Sequence, residues 1–203
     1  MDVKIKLNGK LITDSVDQDM VLLDFCRKHN CFSVKRGCES GNCGLTFAKG
    51  LCYGLQKPLI AVGSLDALTE VAREDYEAGI LSVSDWDRAL LCPMVDARRM
   101  EVYAQVFDAE GRPQNEVTAE VIDAGSFREF REQGRPFVIF GSGARKCAEV
   151  LAGAEFVEVA PSARGLARLA QQALDEGRTE DIAYFEPFYL KDFVVTTSKK
   201  SLF

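Results

Sequence analysis

The sequence holds no long apolar run. Its longest stretches, such as Phe137 to Phe140, fall far short of the roughly 20 residues a membrane-spanning helix needs, so no spanning segment is expected. No basic segment leading into an apolar one opens the chain, so no secretory leader is expected either. The 25 Lys and Arg are scattered, and against 31 Asp and Glu they leave a formal charge of -6. The electrostatic footprint that phosphate backbones demand is therefore missing, which argues against direct, unaided binding of nucleic acid. The seven cysteines are an odd number and form no disulfide framework. Cys52, Cys92 and Cys147 fall inside apolar patterns and read as small buried hydrophobes of a reducing compartment, with the cytoplasm the expected location.

What is present is an evenly mixed chain of 203 residues, 47% hydrophobic, long enough for one large core or two small ones. VKIKLNGKLI alternates apolar and polar residues around Asn8-Gly9, a pair that favours a two-residue hairpin turn. A helix is expected next, capped by Asp17 or Asp19, with Leu22, Leu23, Phe25 and Cys26 on one face and Lys28 and His29 near its negative end. VKRGCESGNCG lacks periodicity and reads as a tight loop. From Leu45, LTFAKGLCYGL has helical spacing, stopped by Gly54 and Pro58, and PLIAVGSL reads as a buried strand. Ser64 is the expected cap of LDALTEVARED. LLCPMVDA and MEVYAQVFDAEGRPQNEVTAEVI predict strands turning at Glu110 to Pro113, with Glu101, Tyr103 and Gln105 on a wet face. Ser126 is expected to cap FREFREQG, before the strand PFVIF, a Gly-Ser-Gly turn and the helix ARKCAEVLAG. Pro161 and Ser162 open a last helix, with Leu166, Leu169, Ala170 and Leu174 on one face and Gly177 at its end. The whole predicts an α/β protein.

Three constellations could carry chemistry. Gly141-Ser142-Gly143 follows an apolar strand and opens a helix, where amides can hold a phosphate. A full dinucleotide fingerprint needs a third glycine where Lys146 stands, so a tight turn is the preferred reading. Asp96, Arg98 and Arg99 in VDARRMEVY form a possible polar site, since arginine suits planar recognition of carboxylate or phosphate; a solvated hairpin paired to nearby acids is the alternative. Cys26, His29 and Cys31 lie at one helix end and do not offer the four ligands of a closed zinc site.

The segments AKGLCYGLQKPLIAVGSLDAL, MVDARRMEVYAQVFD, FGSGARK, PSARGLARLA and EPFYLKDF occur in this order. Together they resemble the TsaB-type (YeaZ-like) subunit of tRNA threonylcarbamoyladenosine biosynthesis over residues 46–203. The resemblance implies a degenerate sugar-kinase, Hsp70 and actin-like (ribonuclease H-like) α/β fold with a mixed sheet. It also implies a noncatalytic subunit that works by binding a TsaD-type catalytic threonylcarbamoyl-transferase, possibly with the ATPase subunit, and that forms a homodimer when alone. Phe47, Leu51 and Leu55 are the partner contacts it implies, against ordinary core burial as the bland reading.

Residues 1–45 depart from that family. VKIKLNGK, LLDFCRKHN and VKRGCESGNCG resemble the ferredoxin-like [2Fe–2S] start of the xanthine dehydrogenase group, where cysteines follow a spacing of four and then two residues. Cys38 and Cys43 fit the first interval, and Thr46 stands where the third thiolate belongs. An electron-transfer module is thus the rival reading, and a hybrid that keeps the fold but loses its partner surface is a third.

Overall fold

The structure, a computed structural model, describes residues 2–7, 10–15, 28–29 and 42–190. The Asn8-Gly9 turn, the expected helix with its caps and apolar face, Cys31, residues 34–41 of the expected loop with Cys38, and the basic tail past 190 lie outside the described residues. The chain divides into two compact units, 1–51 and 52–203.

In the first unit, strands β1 (Asp2–Leu7) and β2 (Lys10–Ser15) pair antiparallel, with Leu7 opposite Lys10. This antiparallel pairing of the two strands is what the alternation predicted. Lys28 and His29 meet Asp14 of β2, with Lys28 Nζ at 2.6 Å and His29 Nε2 at 3.0 Å from its Oδ2. Helix α1 (Asn42–Leu55) starts three residues ahead of the expected periodicity and ends at the Gly54 to Pro58 signal.

The second unit is built on a six-stranded mixed sheet. Its central strand β3 (Leu90–Asp96) pairs antiparallel with β4 (Glu101–Ala104) and β5 (Phe107–Asp108), and parallel with β7 (Phe137–Phe140). β6 (Thr118–Val121) extends the antiparallel side, and β8 (Glu155–Phe156) the parallel side. Pro93 sits in β3 without a donor to offer. β5 pairs only Leu90 and Leu91, and β4 only Met94 to Asp96, so the antiparallel ladder is interrupted beside the proline.

Both faces of this sheet are covered, which is why LLCPM and FVIF read as continuous apolar runs rather than alternating ones. Leu91, Val138 and Phe140 pack with Leu65, Leu68, Val71 and Ala72 of helix α2 (Ser64–Glu77). Leu90, Cys92, Met94 and Ile139 pack on the other face with Ala144 and Cys147 of the short helix α4 (Ala144–Cys147) and with Leu151. Each fully buried Leu, Val, Ile, Phe or Met among them contributes roughly 1.5–3 kcal/mol. Burial also pushes the Cys92 and Cys147 thiols above their ordinary range, so both behave as the small hydrophobes expected.

Several local expectations are corrected. PLIAVGSL is not a strand: only Leu59 is paired, through an isolated bridge to Glu180, and Ala61 and Gly63 are exposed. Gly63, not Ser64, is the cap residue of α2, with no side-chain bond. Ser126 does not cap helix α3 (Arg128–Arg131); its Oγ accepts from the Asp123 N–H, and Phe127 is the cap residue. Gln105 is buried rather than wet, because its Nε2 donates to the Asn115 carbonyl at 2.7 Å.

The last helical segment begins as a 3-10 turn, η2 (Ala163–Leu166), capped by Ser162, and continues as α5 (Ala167–Asp175). Its anticipated apolar face is largely exposed, with Ala173 the buried residue of α5. The attachment to α2 is polar instead. Arg168 Nε lies 2.9 Å from the buried Glu70 carboxylate, which Arg73 also holds, and Arg164 Nη2 donates to Asp75 at 2.6 Å. Gly165 permits this approach, since a Cβ there would stand 2.1 Å from the Ala67 carbonyl oxygen. Gly165→Ala should therefore lower unfolding stability by about 2 kcal/mol, read as a reduced denaturant midpoint with an unchanged slope.

Candidate functional sites

Two surfaces stand out among the described residues. The first is a stripe along α1. Phe47, Leu51 and Leu55 recur every fourth residue, so they share one helix face. They are 69%, 47% and 65% exposed, and Tyr53, on another face of the same helix, is 73% exposed. A folded protein rarely leaves such a row of large apolar side chains in water without a partner. Tyr53 was not among the residues singled out from the sequence, although it sits in the same AKGLCYGL run.

The second is the tip of the β3–β4 hairpin with the glycine turn that supports it. Gly141 has φ +98, and a Cβ there would meet the Met94 carbonyl at 2.6 Å and Leu68 at 2.7 Å. Gly143 donates its N–H to that same carbonyl at 2.9 Å and lies against Val102. These glycines bring the β7–α4 turn onto β3, and the Gly143 amide is spent on β3 rather than left for a phosphate. α4, one turn long, provides no extended helix end. The tight-turn reading of Gly141-Ser142-Gly143 is the one the geometry supports.

This approach carries Lys146 over the hairpin. Its Nζ bonds the Asp96 carboxylate and donates to the carbonyls of Arg99 at 2.6 Å and Glu101 at 2.8 Å. Ser142 Oγ accepts from the Asp96 N–H, and the Asp96 carboxylate accepts from the Arg98 N–H at 3.0 Å. Lys146 and the Arg98 amide hold the Asp96 carboxyl below the usual carboxylate range. Arg98 and Arg99 both adopt left-handed backbone, φ +73 and +50. Such conformations cost about 1–3 kcal/mol each for ordinary residues and persist only when neighbouring groups impose them.

The sequence-based pairing of these arginines with nearby acids does not occur. Asp96 is taken by Lys146, and neither guanidinium bonds another described residue. Lys146 was noted in the sequence only as the place of a missing glycine; a lysine opening a helix after a glycine turn was the one available signal of its role.

Among the described residues no group of three His, Cys, Asp or Glu is placed to hold a metal ion. Cys38 and the side chain of Cys43 lie outside the described residues. Thr46 is exposed on α1 and offers no thiolate, and Cys52, next along the helix, points its Sγ to the Pro58 carbonyl at 3.5 Å. No helix among the described residues is long and apolar enough to cross a membrane.

A mixed sheet buried on both faces, with an added antiparallel edge, defines an α/β protein. The family TsaD, tRNA N6-adenosine threonylcarbamoyltransferase, matches residues 42–199, well over half of the chain, and the chain belongs to that family. Two solved structures are similar to it in fold. YeaZ from Pseudomonas aeruginosa has 18% identity and a TM-score of 0.58, covering 93% of each chain. An uncharacterized protein with similarity to peptidase YEAZ, from the same organism, has 17% identity and a TM-score of 0.56, covering 94% of each. At these identities the likeness is one of fold. No curated protein sequence matches the chain.

Because Lys146 holds the two carbonyls that fix the tip, Lys146→Ala should free the hairpin. Trypsin should then nick the variant after Arg98 or Arg99 several-fold faster than the parent, as read by mass spectrometry of the fragments. The parent clasp should loosen only as pH falls through the depressed Asp96 value, below the ordinary carboxylate range near 3.9, and stay closed above it.

Proposed function

We propose that this chain is a noncatalytic partner subunit in tRNA threonylcarbamoyladenosine modification, acting in the cytoplasm by docking a TsaD-type catalytic subunit through α1. The observation that carries the reading is the exposed row Phe47, Leu51 and Leu55 on a single helix of a TsaD-family chain. An amphipathic helix that lays its apolar face against a partner uses this four-residue spacing. In the absence of the catalytic subunit the same face would pair two copies of the chain, since a self-complementary apolar patch readily forms a twofold dimer. An ATPase subunit completes the complex on this reading. The spent Gly143 amide supports a binding role over a phosphate-handling one.

The test is size-exclusion chromatography of the chain with and without the catalytic subunit, followed at protein and visible wavelengths. Co-elution at micromolar concentration is expected. Phe47→Glu combined with Leu55→Glu should weaken the association at least tenfold, because it sets two charges in the buried centre of the contact. Thermal unfolding should stay within about 0.5 kcal/mol of the parent, as expected for exposed positions. Failure of the parent chain to bind at these concentrations would remove the reading. The purified chain should be colourless; visible absorbance would instead favour an electron-transfer module holding a [2Fe–2S] cluster through Cys38 and Cys43.

A further inference from the structure

We propose that the Arg98-Arg99 tip is a phosphate grip, which contacts the backbone of the tRNA substrate once this chain sits in its complex; the proposal rests on the reading of the preceding subsection.

The first support is the state of the other arginines. Every other arginine among the described residues, from Arg73 to Arg178, sets its guanidinium on an acid or a backbone carbonyl. The two left without such a bond are adjacent in sequence, exposed, and at the strained end of one hairpin. In a chain with this surplus of acids, unpaired neighbouring guanidinium groups are a local exception.

The second is how the tip is held. Asp96 and Lys146 grip only backbone atoms of Arg98, Arg99 and Glu101, so the knuckle is fixed while both heads stay available. Glycine or asparagine would relieve the left-handed backbone at either position. Arginine at both keeps the strain and supplies two cations. A backbone ordered in advance lowers the cost of ordering on binding.

The third concerns what the heads suit. Guanidinium matches carboxylate and phosphate alike. Lys146 neutralises Asp96, and the tip then presents two guanidinium groups on Cα atoms about 3.8 Å apart, with the Glu101 carboxylate at the start of β4 as the other acid nearest in sequence. A protein interface wants an apolar centre, and residues 97–101 carry no exposed large apolar side chain. A nucleic acid strand wants repeated charge along its length, which adjacent arginines can span. The overall charge of -6 still opposes free RNA, so the tip acts as a second hold on tRNA that the catalytic subunit has already engaged.

The experiment titrates labelled tRNA into the complex across a salt series, with the parent chain, an Arg98→Asn/Arg99→Asn variant and an Arg98→Lys/Arg99→Lys variant. Asparagine tolerates the left-handed backbone, so it removes charge while keeping the turn. The asparagine pair should weaken tRNA binding several-fold and reduce the log–log salt slope by about one to two, while the lysine pair restores most of the slope. Elution with the catalytic subunit should be unchanged. Equal tRNA affinity and slope in all three proteins would overturn the grip. So would loss of catalytic-subunit binding in the asparagine variant, since the arginines would then face protein. If even the parent chain fails to join the catalytic subunit, the subunit reading falls, and the grip, which acts only inside that complex, falls with it; equal affinity and slope in a complex that does form overturn the grip alone.

Discussion

Strand β3 has to be buried on both faces while ending in a solvent-exposed hairpin, and the second unit is arranged around that constraint. Leu90, Leu91, Cys92 and Met94 send side chains alternately into two separate cores, so β3 is the element both cores share. Its parallel neighbour β7 is covered in the same way, and the turn after β7 must come down onto the end of β3 to close one of those cores. Gly141 and Gly143 are the residues without which that descent is blocked, by the Met94 carbonyl in one case and by Val102 in the other.

The consequences run outward from that contact. With the turn seated, Lys146 reaches the hairpin beyond β3 and ties Asp96 to the carbonyls on the far side of the loop. The loop is thereby fixed in a conformation its arginines would not choose alone. Packing inside the sheet thus sets the shape of a surface some residues away, with no contribution from the arginine heads. The attachment of η2 and α5 to α2 follows another logic: a glycine admits the close approach, and arginines on buried or half-buried acids hold it.

Much of the sheet was legible in the sequence because burial on both faces writes itself as unbroken apolar runs, as in LLCPM and FVIF. PLIAVGSL has the same composition and is not a strand, because composition reports burial and cannot report whether a neighbour lies alongside; here only Leu59 finds one. Ser64 and Ser126 have the chemistry of caps, yet the chain enters each helix at an adjacent residue, a shift of one position that pattern reading does not resolve. The α1 helix was legible by spacing, and the choice of Phe47, Leu51 and Leu55 on it came from the family resemblance. Their exposure was not, since a row of Phe and Leu looks alike whether it faces a core or a partner. The state of Arg98 and Arg99 was hidden for a different reason: the acid beside them is claimed by a lysine fifty residues on.

The two surfaces differ in the forces they can use, and the difference bears on how the chain works. The α1 row offers apolar area, whose attraction is short-ranged and insensitive to salt. The arginine tip offers charge, whose effect reaches about 8 Å at physiological salt and falls as salt rises. An acidic chain carrying only the tip would be kept from RNA by its own field. An acidic chain that first docks through an apolar helix onto an RNA-binding subunit escapes that penalty, because the partner then supplies the attraction at long range. The tip needs to act only at contact distance, where a rigid and unpaired guanidinium is most effective. If both proposed surfaces are used, their physics orders the events: association through α1 comes first, and the arginines engage only within the assembled complex.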